Sequence, residues 1–120
     1  MLENKSLSDR LPICLLYVED EESIRTPMLE MLKRRIDRII VAKDGQEGLE
    51  SFINYGADVV LSDLKMPNMN GLQMISEIKK IAPDTKTVIV SAYSDTEFFQ
   101  QALDLGVDGF LLKPVQRIQL

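Results

Sequence analysis

Asp63 follows the apolar run Val59-Val60-Leu61-Ser62 and stands ahead of a loop bounded by Pro67 and Gly71. A short apolar run closed by turn residues reads as a buried strand. In an open α/β sheet, reactive groups collect just past the carboxyl ends of such strands. An acid there is more often a solvated loop residue or a helix cap. Asp63 differs in the residues that hold equivalent places elsewhere: Glu19 and Asp20 after a first apolar run, Ser91 at the end of a fourth, and Lys113 after a fifth. Crowded carboxylates raise one another's pKa unless a cation joins them. With oxygen ligands, no histidine and one cysteine, the set selects a hard ion such as Mg²⁺ over zinc or copper. A divalent ion and the Lys113 ammonium balance Glu19, Asp20 and Asp63 and leave the site ready for a dianionic group. Carboxylates serve as nucleophiles in aspartyl-phosphate chemistry. Asp63, alone at its strand end, is better placed for in-line attack than the paired acids, and Ser91 is placed to donate to a phosphoryl oxygen.

These side chains meet only if the fold brings them together. Apolar runs at Ile13 to Val18, Ile39 to Ala42, Val59 to Ser62, Thr87 to Ser91 and Gly109 to Leu112 read as strands. Between them lie amphipathic stretches. The first runs from Glu22 to Arg35 with Ile24, Met28, Met31 and Leu32 on one side, and Pro27 predicts a late start or a kink. The second opens on the cap Asp44 with Glu47 as return partner and buries Leu49, Phe52 and Ile53; the third is capped by Asn70, buries Leu72, Ile75, Ile78 and Ile81, and stops before Pro83. The fourth opens on Ser94 and Glu97, carries Phe98, Ala102, Leu103 and Leu105, and ends at Gly106. Such alternation with right-handed crossovers predicts an α/β, doubly wound, five-stranded parallel sheet covered on both faces. Residues 1–12 read as a flexible lead-in and 13–120 as one domain. Only Val115 to Leu120 follow the last strand, so a fifth helix is largely missing; the expectation is a domain cut from a longer chain, with one sheet face open to association such as a homodimer.

Composition narrows the function classes. Across 120 residues, 45% hydrophobic, 19 acidic against 14 basic residues give a net charge of -5, the wrong sign for direct nucleic-acid or membrane binding. One cysteine, Cys14, allows no internal disulfide and reads as a small buried thiol, which with the lack of a membrane-length apolar run or signal-peptide core points to the cytoplasm. The basic group Lys33, Arg34, Arg35 and Arg38 reads first as a solvated helix end and second as a face for a partner. Glu19-Asp20 could be merely an acidic helix start, Ser91 structural, Lys113 solvated and Phe110 plain core. Their joint placement is what the individual readings leave unexplained.

Leu16-Tyr17-Val18-Glu19-Asp20-Glu21, Leu61-Ser62-Asp63-Leu64-Lys65-Met66-Pro67 with Gly71, Val88-Ile89-Val90-Ser91-Ala92 and Phe110-Leu111-Leu112-Lys113-Pro114 together resemble the receiver domain of two-component response regulators, from Ile13 to Val115. The resemblance implies the flavodoxin-like strand order 2-1-3-4-5. It implies a signalling domain rather than an enzyme, in which Asp63 accepts a phosphoryl group from a histidine kinase or phosphotransfer protein. Mg²⁺ would be held by Asp20, Asp63 and the backbone carbonyl of Lys65, with Glu19 acting through water. Lys113 would contact the phosphoryl group, and Ser91 and Phe110 would form a switch that reshapes the surface near helix four and strand five. It also implies a cis Lys113-Pro114 bond and an output domain beyond this chain. Lacking histidine, the chain cannot supply a phosphohistidine itself. A phosphohydrolase of the haloacid dehalogenase type uses similar residues but needs an acid two positions after the nucleophile, where Lys65 stands. A dinucleotide site fails because no glycine-rich loop follows the first strand.

Overall fold

The computed structural model describes residues 10–113, apart from the side chains of residues 93–95. The expected lead-in up to residue 9, the cis Lys113-Pro114 bond and the missing fifth helix lie outside the described residues. The chain order is β1 (Leu11–Val18), α1 (Glu22–Lys33), β2 (Ile36–Ala42), α2 (Gly45–Tyr55), β3 (Val59–Asp63), α3 (Gly71–Ile81), β4 (Lys86–Ser91), α4 (Phe99–Leu105) and β5 (Gly109–Leu112). The strands form one parallel sheet ordered β2-β1-β3-β4-β5, the predicted doubly wound arrangement.

Strand alternation sorts the core into two layers. Leu16, Val18, Val60 and Ile89 point to one side and pack with Phe52 of α2, Leu72, Met74, Ile75 and Ile78 of α3 and Ala102 of α4. Leu15, Tyr17, Leu61 and Val90 point to the other and pack with Met28 and Leu32 of α1. At about 25 cal/mol per Å² of apolar area, these two layers supply most of the drive to fold. Ile53, Ile81 and Leu103, predicted as buried, are instead 60%, 55% and 63% exposed. Each lies beside or beyond the helix stripe that touches the sheet, so helical spacing alone overstates its burial.

Several boundaries also differ from expectation. β1 begins at Leu11 and its pairing with β2 shifts register between Leu11 and Cys14, where Pro12 has no N–H to donate. Cys14 is half-buried rather than buried. α1 starts at Glu22 and runs through Pro27 to Lys33 with no late start. β2 begins at Ile36 because Asp37 and Arg38 lie exposed on an edge strand, where charge is tolerated. Asp44 accepts from the Glu47 N–H at 2.8 Å, but the Glu47 carboxylate returns to the Lys43 N–H rather than to the cap itself. The full reciprocal capping box is at α3, between Asn70 and Gln73. α4 does not open at Ser94: a 3-10 turn spans Tyr93–Phe98 and the α-helix starts after Phe98. Gly106 ends it in the left-handed conformation, as predicted.

Two glycines fix the loop after β3. A Cβ on Gly71 would stand 2.3 Å from the Asp63 carbonyl oxygen, and one on Gly45 would stand 2.1 Å from that of Met69. Both close approaches press this loop against the sheet and α2. Gly71→Ala should therefore cost on the order of 1–3 kcal/mol in urea unfolding, because backbone must move. Gly109→Ala, whose new methyl would meet Val88 at an ordinary 3.7 Å, should stay within about 0.5 kcal/mol. Equal effects of the two would contradict the close-packing account.

Candidate functional site

Parallel register places the candidate residues on one rim. Val18 pairs with Ser62, so Glu19 and Asp63 emerge side by side. Asp63 pairs with Val90, and Ser91 with Leu112, so Ser91 and Lys113 follow on the next strands. The backbone is tied across this rim: the Leu64 N–H donates to the Val90 carbonyl at 3.1 Å and the Lys113 N–H to the Ser91 carbonyl at 2.9 Å.

Glu19, Asp20 and Asp63 each offer a carboxylate oxygen, and these lie within 4.8 Å of one another. The Lys113 ammonium reaches Asp63 Oδ1 at 2.9 Å, and the same oxygen accepts from the Leu64 N–H at 2.9 Å. Glu19 and Asp63 are 2% and 4% exposed, so the charges are held largely out of water. Burial, aided by Asp63, pushes the Glu19 carboxyl up to about 7. Burial also raises Asp63, against the opposing pull of Lys113. Lys113 is disfavoured by its own burial, yet the bond to Asp63 and the surrounding acids hold it above its ordinary value. All three values are raised, the acids by burial and like charge and the lysine by the acids around it, the pattern of crowded negative charge with a cation set among it.

Two further atoms fit a site made to receive something. Ser91 Oγ and Asp20 Oδ1 are buried with no hydrogen-bond partner among the described residues, which is unusual for buried polar atoms. The oxygen-only donor set and the unpartnered Asp20 oxygen fit a hard divalent cation. Phe110 is half-buried in β5, with the ring of Phe99 set edge-on at 5.3 Å between centroids and 77° between planes. Lys65 places its ammonium 5.8 Å from the centre of the Phe98 ring, so its side chain bridges the loop after Asp63 to the turn before α4. The basic group Lys33, Arg34, Arg35 and Arg38 falls where α1 ends and β2 starts. That is the sheet edge opposite Asp63, so this group does not border the rim.

The family model of the response regulator receiver domain matches residues 15–120. The chain belongs to the response-regulator receiver family. It is 32% identical over 105 residues to the response regulator protein VraR of Staphylococcus saprophyticus, covering 86% of this chain and 50% of that protein. Over 101 residues it is 34% identical to a cyclic di-GMP phosphodiesterase of Thermotoga maritima, covering 84% of this chain and 27% of the relative. The chain thus spans about a quarter to a half of the length of these curated relatives. Among solved structures, a response regulator receiver domain protein from Clostridium thermocellum superposes with a TM-score of 0.82 at 30% identity, over 90% of this chain and 86% of that one. The receiver is a signalling module of two-component systems, and none of its described helices is long and apolar enough to cross a membrane.

Two residues around the receiver's rim escaped the sequence reading. The Arg25 guanidinium of α1 donates from Nη1 to the Glu19 carbonyl at 2.8 Å. Tyr17 lies 1% exposed beneath the acids, its hydroxyl without a hydrogen-bond partner among the described residues, and burial, Glu19 and Asp63 raise its pKa. An arginine four residues after Glu21 was a usable signal, since a helix that starts after an acidic turn can fold such a side chain back over it. Tyr17 carried none, because its neighbours are all apolar.

Because Glu19 holds its proton more tightly folded than unfolded, ionising it costs folding free energy, and Asp63 acts in the same direction. In chelator, the stability these carboxyls contribute should therefore be full below the ordinary Glu value of 4.5 and be lost as pH rises to about 7, by at most about 1.4 kcal/mol per pH unit for each proton involved. Urea titrations across that range test this, and Glu19→Gln should flatten the slope. A level wild-type profile would contradict the crowding described here.

Proposed function

We propose that this receiver is a phosphoacceptor in which Asp63 takes the phosphoryl group from a phosphohistidine of a histidine kinase or phosphotransfer protein. The observation that carries this reading is one buried carboxylate held by Lys113 at 2.9 Å within a cluster of acids spaced for a cation. An Asp63 carboxylate oxygen attacks phosphorus, and the bond from phosphorus to the donor's histidine nitrogen breaks, that nitrogen leaving with the electron pair. Glu19, Asp20 and Asp63 would hold Mg²⁺, with the Lys65 backbone carbonyl as a further ligand. Bound there, Mg²⁺ supplies positive charge that offsets repulsion between the acids and the incoming phosphoryl oxygens.

The side chains divide the remaining work. Lys113 gives up part of its hold on Asp63 to follow the charge onto the phosphoryl oxygens. Ser91, buried without a partner among the described residues, gains an acceptor when the phosphoryl group arrives, and its movement toward that group opens space for Phe110 to turn inward. The surface around α4 and β5 changes as a result. The receiver is thus switched rather than turning over a substrate, it works from the cytoplasm, and its output passes through another domain or partner rather than through direct contact with nucleic acid or membrane.

Incubation with Mg²⁺ and acetyl phosphate should add one phosphoryl group per chain by intact mass, stable to acid and lost in base. Asp63→Asn or removal of Mg²⁺ should abolish it. Continuous release of phosphate without an accumulating adduct would favour a phosphohydrolase and sink the receiver role. Ser91→Ala separates stability from chemistry: deleting an unsatisfied buried hydroxyl should leave urea stability unchanged or raised, while acceptance of the phosphoryl group slows by roughly a hundredfold. A variant that is destabilised yet phosphorylated at the normal rate would remove Ser91 from the mechanism.

A further inference from the structure

The acidic pocket asks a short turn to aim two like charges at a third. Residues Glu19 to Glu21 join β1 to α1, and repulsion from Asp63 pushes Glu19 and Asp20 outward. Every backbone polar group at Glu19 is engaged against that push: its N–H donates to the Ala42 carbonyl at 3.1 Å and its carbonyl accepts from Arg25 Nη1 at 2.8 Å. The Glu19 carboxylate accepts the Glu21 N–H at 3.2 Å. Arg25 holds the turn at both ends, since its own N–H donates to the Glu21 carbonyl at 2.8 Å. Its side chain is 13% exposed, whereas the Glu22 carboxylate at 3.9 Å is 86% exposed. A solvated pair of that kind contributes little, so Glu22 does not explain why a guanidinium is kept there.

We infer that Arg25 is a positioning residue for the acidic pocket: its guanidinium fixes the Glu19 carbonyl and thereby the turn that presents Glu19 and Asp20 to a cation shared with Asp63. This rests on the reading of the pocket as a divalent-cation site. The tether and the bare charge of Arg25 act with opposite sign. A cation near three carboxylates repels a second cation, so removing only its charge would tighten Mg²⁺ binding. Removing a group that orients the ligands loosens it, by about tenfold to a hundredfold for comparable outer supports. Lysine keeps the charge but not the planar fork of donors.

Isothermal titration of the metal-free protein with Mg²⁺ alone separates the two. Arg25→Gln and Arg25→Lys should each bind Mg²⁺ at least about tenfold more weakly than wild type, and Glu22→Gln should bind as wild type does. In the metal-free state, the Glu21 amide should exchange with solvent faster in both Arg25 variants. Circular dichroism melts identify a variant that fails to fold, and Arg25→Lys, the milder change, then decides. Equal or tighter binding by the folded Arg25 variants, or the same loss in Glu22→Gln, would overturn the tether. Wild type that fails to bind Mg²⁺ would overturn the cation site itself, an outcome that the Glu21 exchange rates distinguish from a failed tether.

Discussion

The ion pair of Asp63 and Lys113 is the interaction on which the rim depends. Desolvating a carboxylate and an ammonium costs several kcal/mol each, and their attraction repays this only in good geometry. At 2.9 Å, with the Leu64 N–H on the same oxygen, the geometry is good. Yet Lys113 answers only one negative charge where Glu19, Asp20 and Asp63 converge. Burial sharpens the excess and, with Asp63, raises the Glu19 carboxyl to about 7, so a proton held there is the metal-free protein's relief. A fold that tolerates this cost draws its stability from elsewhere, and the two apolar layers on either side of the sheet are the source.

The backbone explains why the excess charge does not scatter. Asp63 ends a strand whose neighbours on both sides are also strands, so its Cα has little freedom. Gly71 packs against its carbonyl too closely for any side chain, and the Gly71 N–H donates to the Leu64 carbonyl at 2.8 Å. Glu19 and Asp20 sit on a turn rather than in a strand, and there the Arg25 side chain on the Glu19 carbonyl joins the backbone bond from the Glu19 N–H to the Ala42 carbonyl. Rigid strand ends and a tethered turn together hold the oxygens within 4.8 Å, although electrostatics alone would separate them.

Much of this was legible in the residues because a parallel sheet converts order along the chain into a common edge. Once five apolar runs alternate with helical ones, the residues after each run must lie together, and Glu19, Asp20, Asp63, Ser91 and Lys113 do. What escaped has physical causes. β2 hid its first half because an edge strand carries Asp37 and Arg38 toward water. Ile53 and Leu103 follow the core residues Phe52 and Ala102 directly, and one residue turns a helix by about 100°, enough to carry a side chain off the buried stripe. The opening of α4 was misplaced because Ser94 and Glu97 have the spacing of a capping box, while the chain first takes a 3-10 turn. The partner of Arg25 is a carbonyl, so only its place one turn after the acidic residues pointed to it.

Two aromatic contacts run outward from the rim. Lys65 meets Phe98 at 5.8 Å and Phe99 meets Phe110 edge-on at 5.3 Å, interactions worth about 0.5–1.5 kcal/mol each. Phe98 and Phe99 are adjacent at the junction of the 3-10 turn with α4, so one short segment touches both the loop after Asp63 and the aromatic of β5. A phosphoryl group adds about −1.5 to −2 charges in a place already short of cations. It would compete for Lys113, whose ammonium already pairs with Asp63 at 2.9 Å. Under the proposed phosphoryl transfer, the segment before α4 would feel a charge change at Asp63 as a change of packing, because it touches both regions through the Lys65–Phe98 and Phe99–Phe110 contacts.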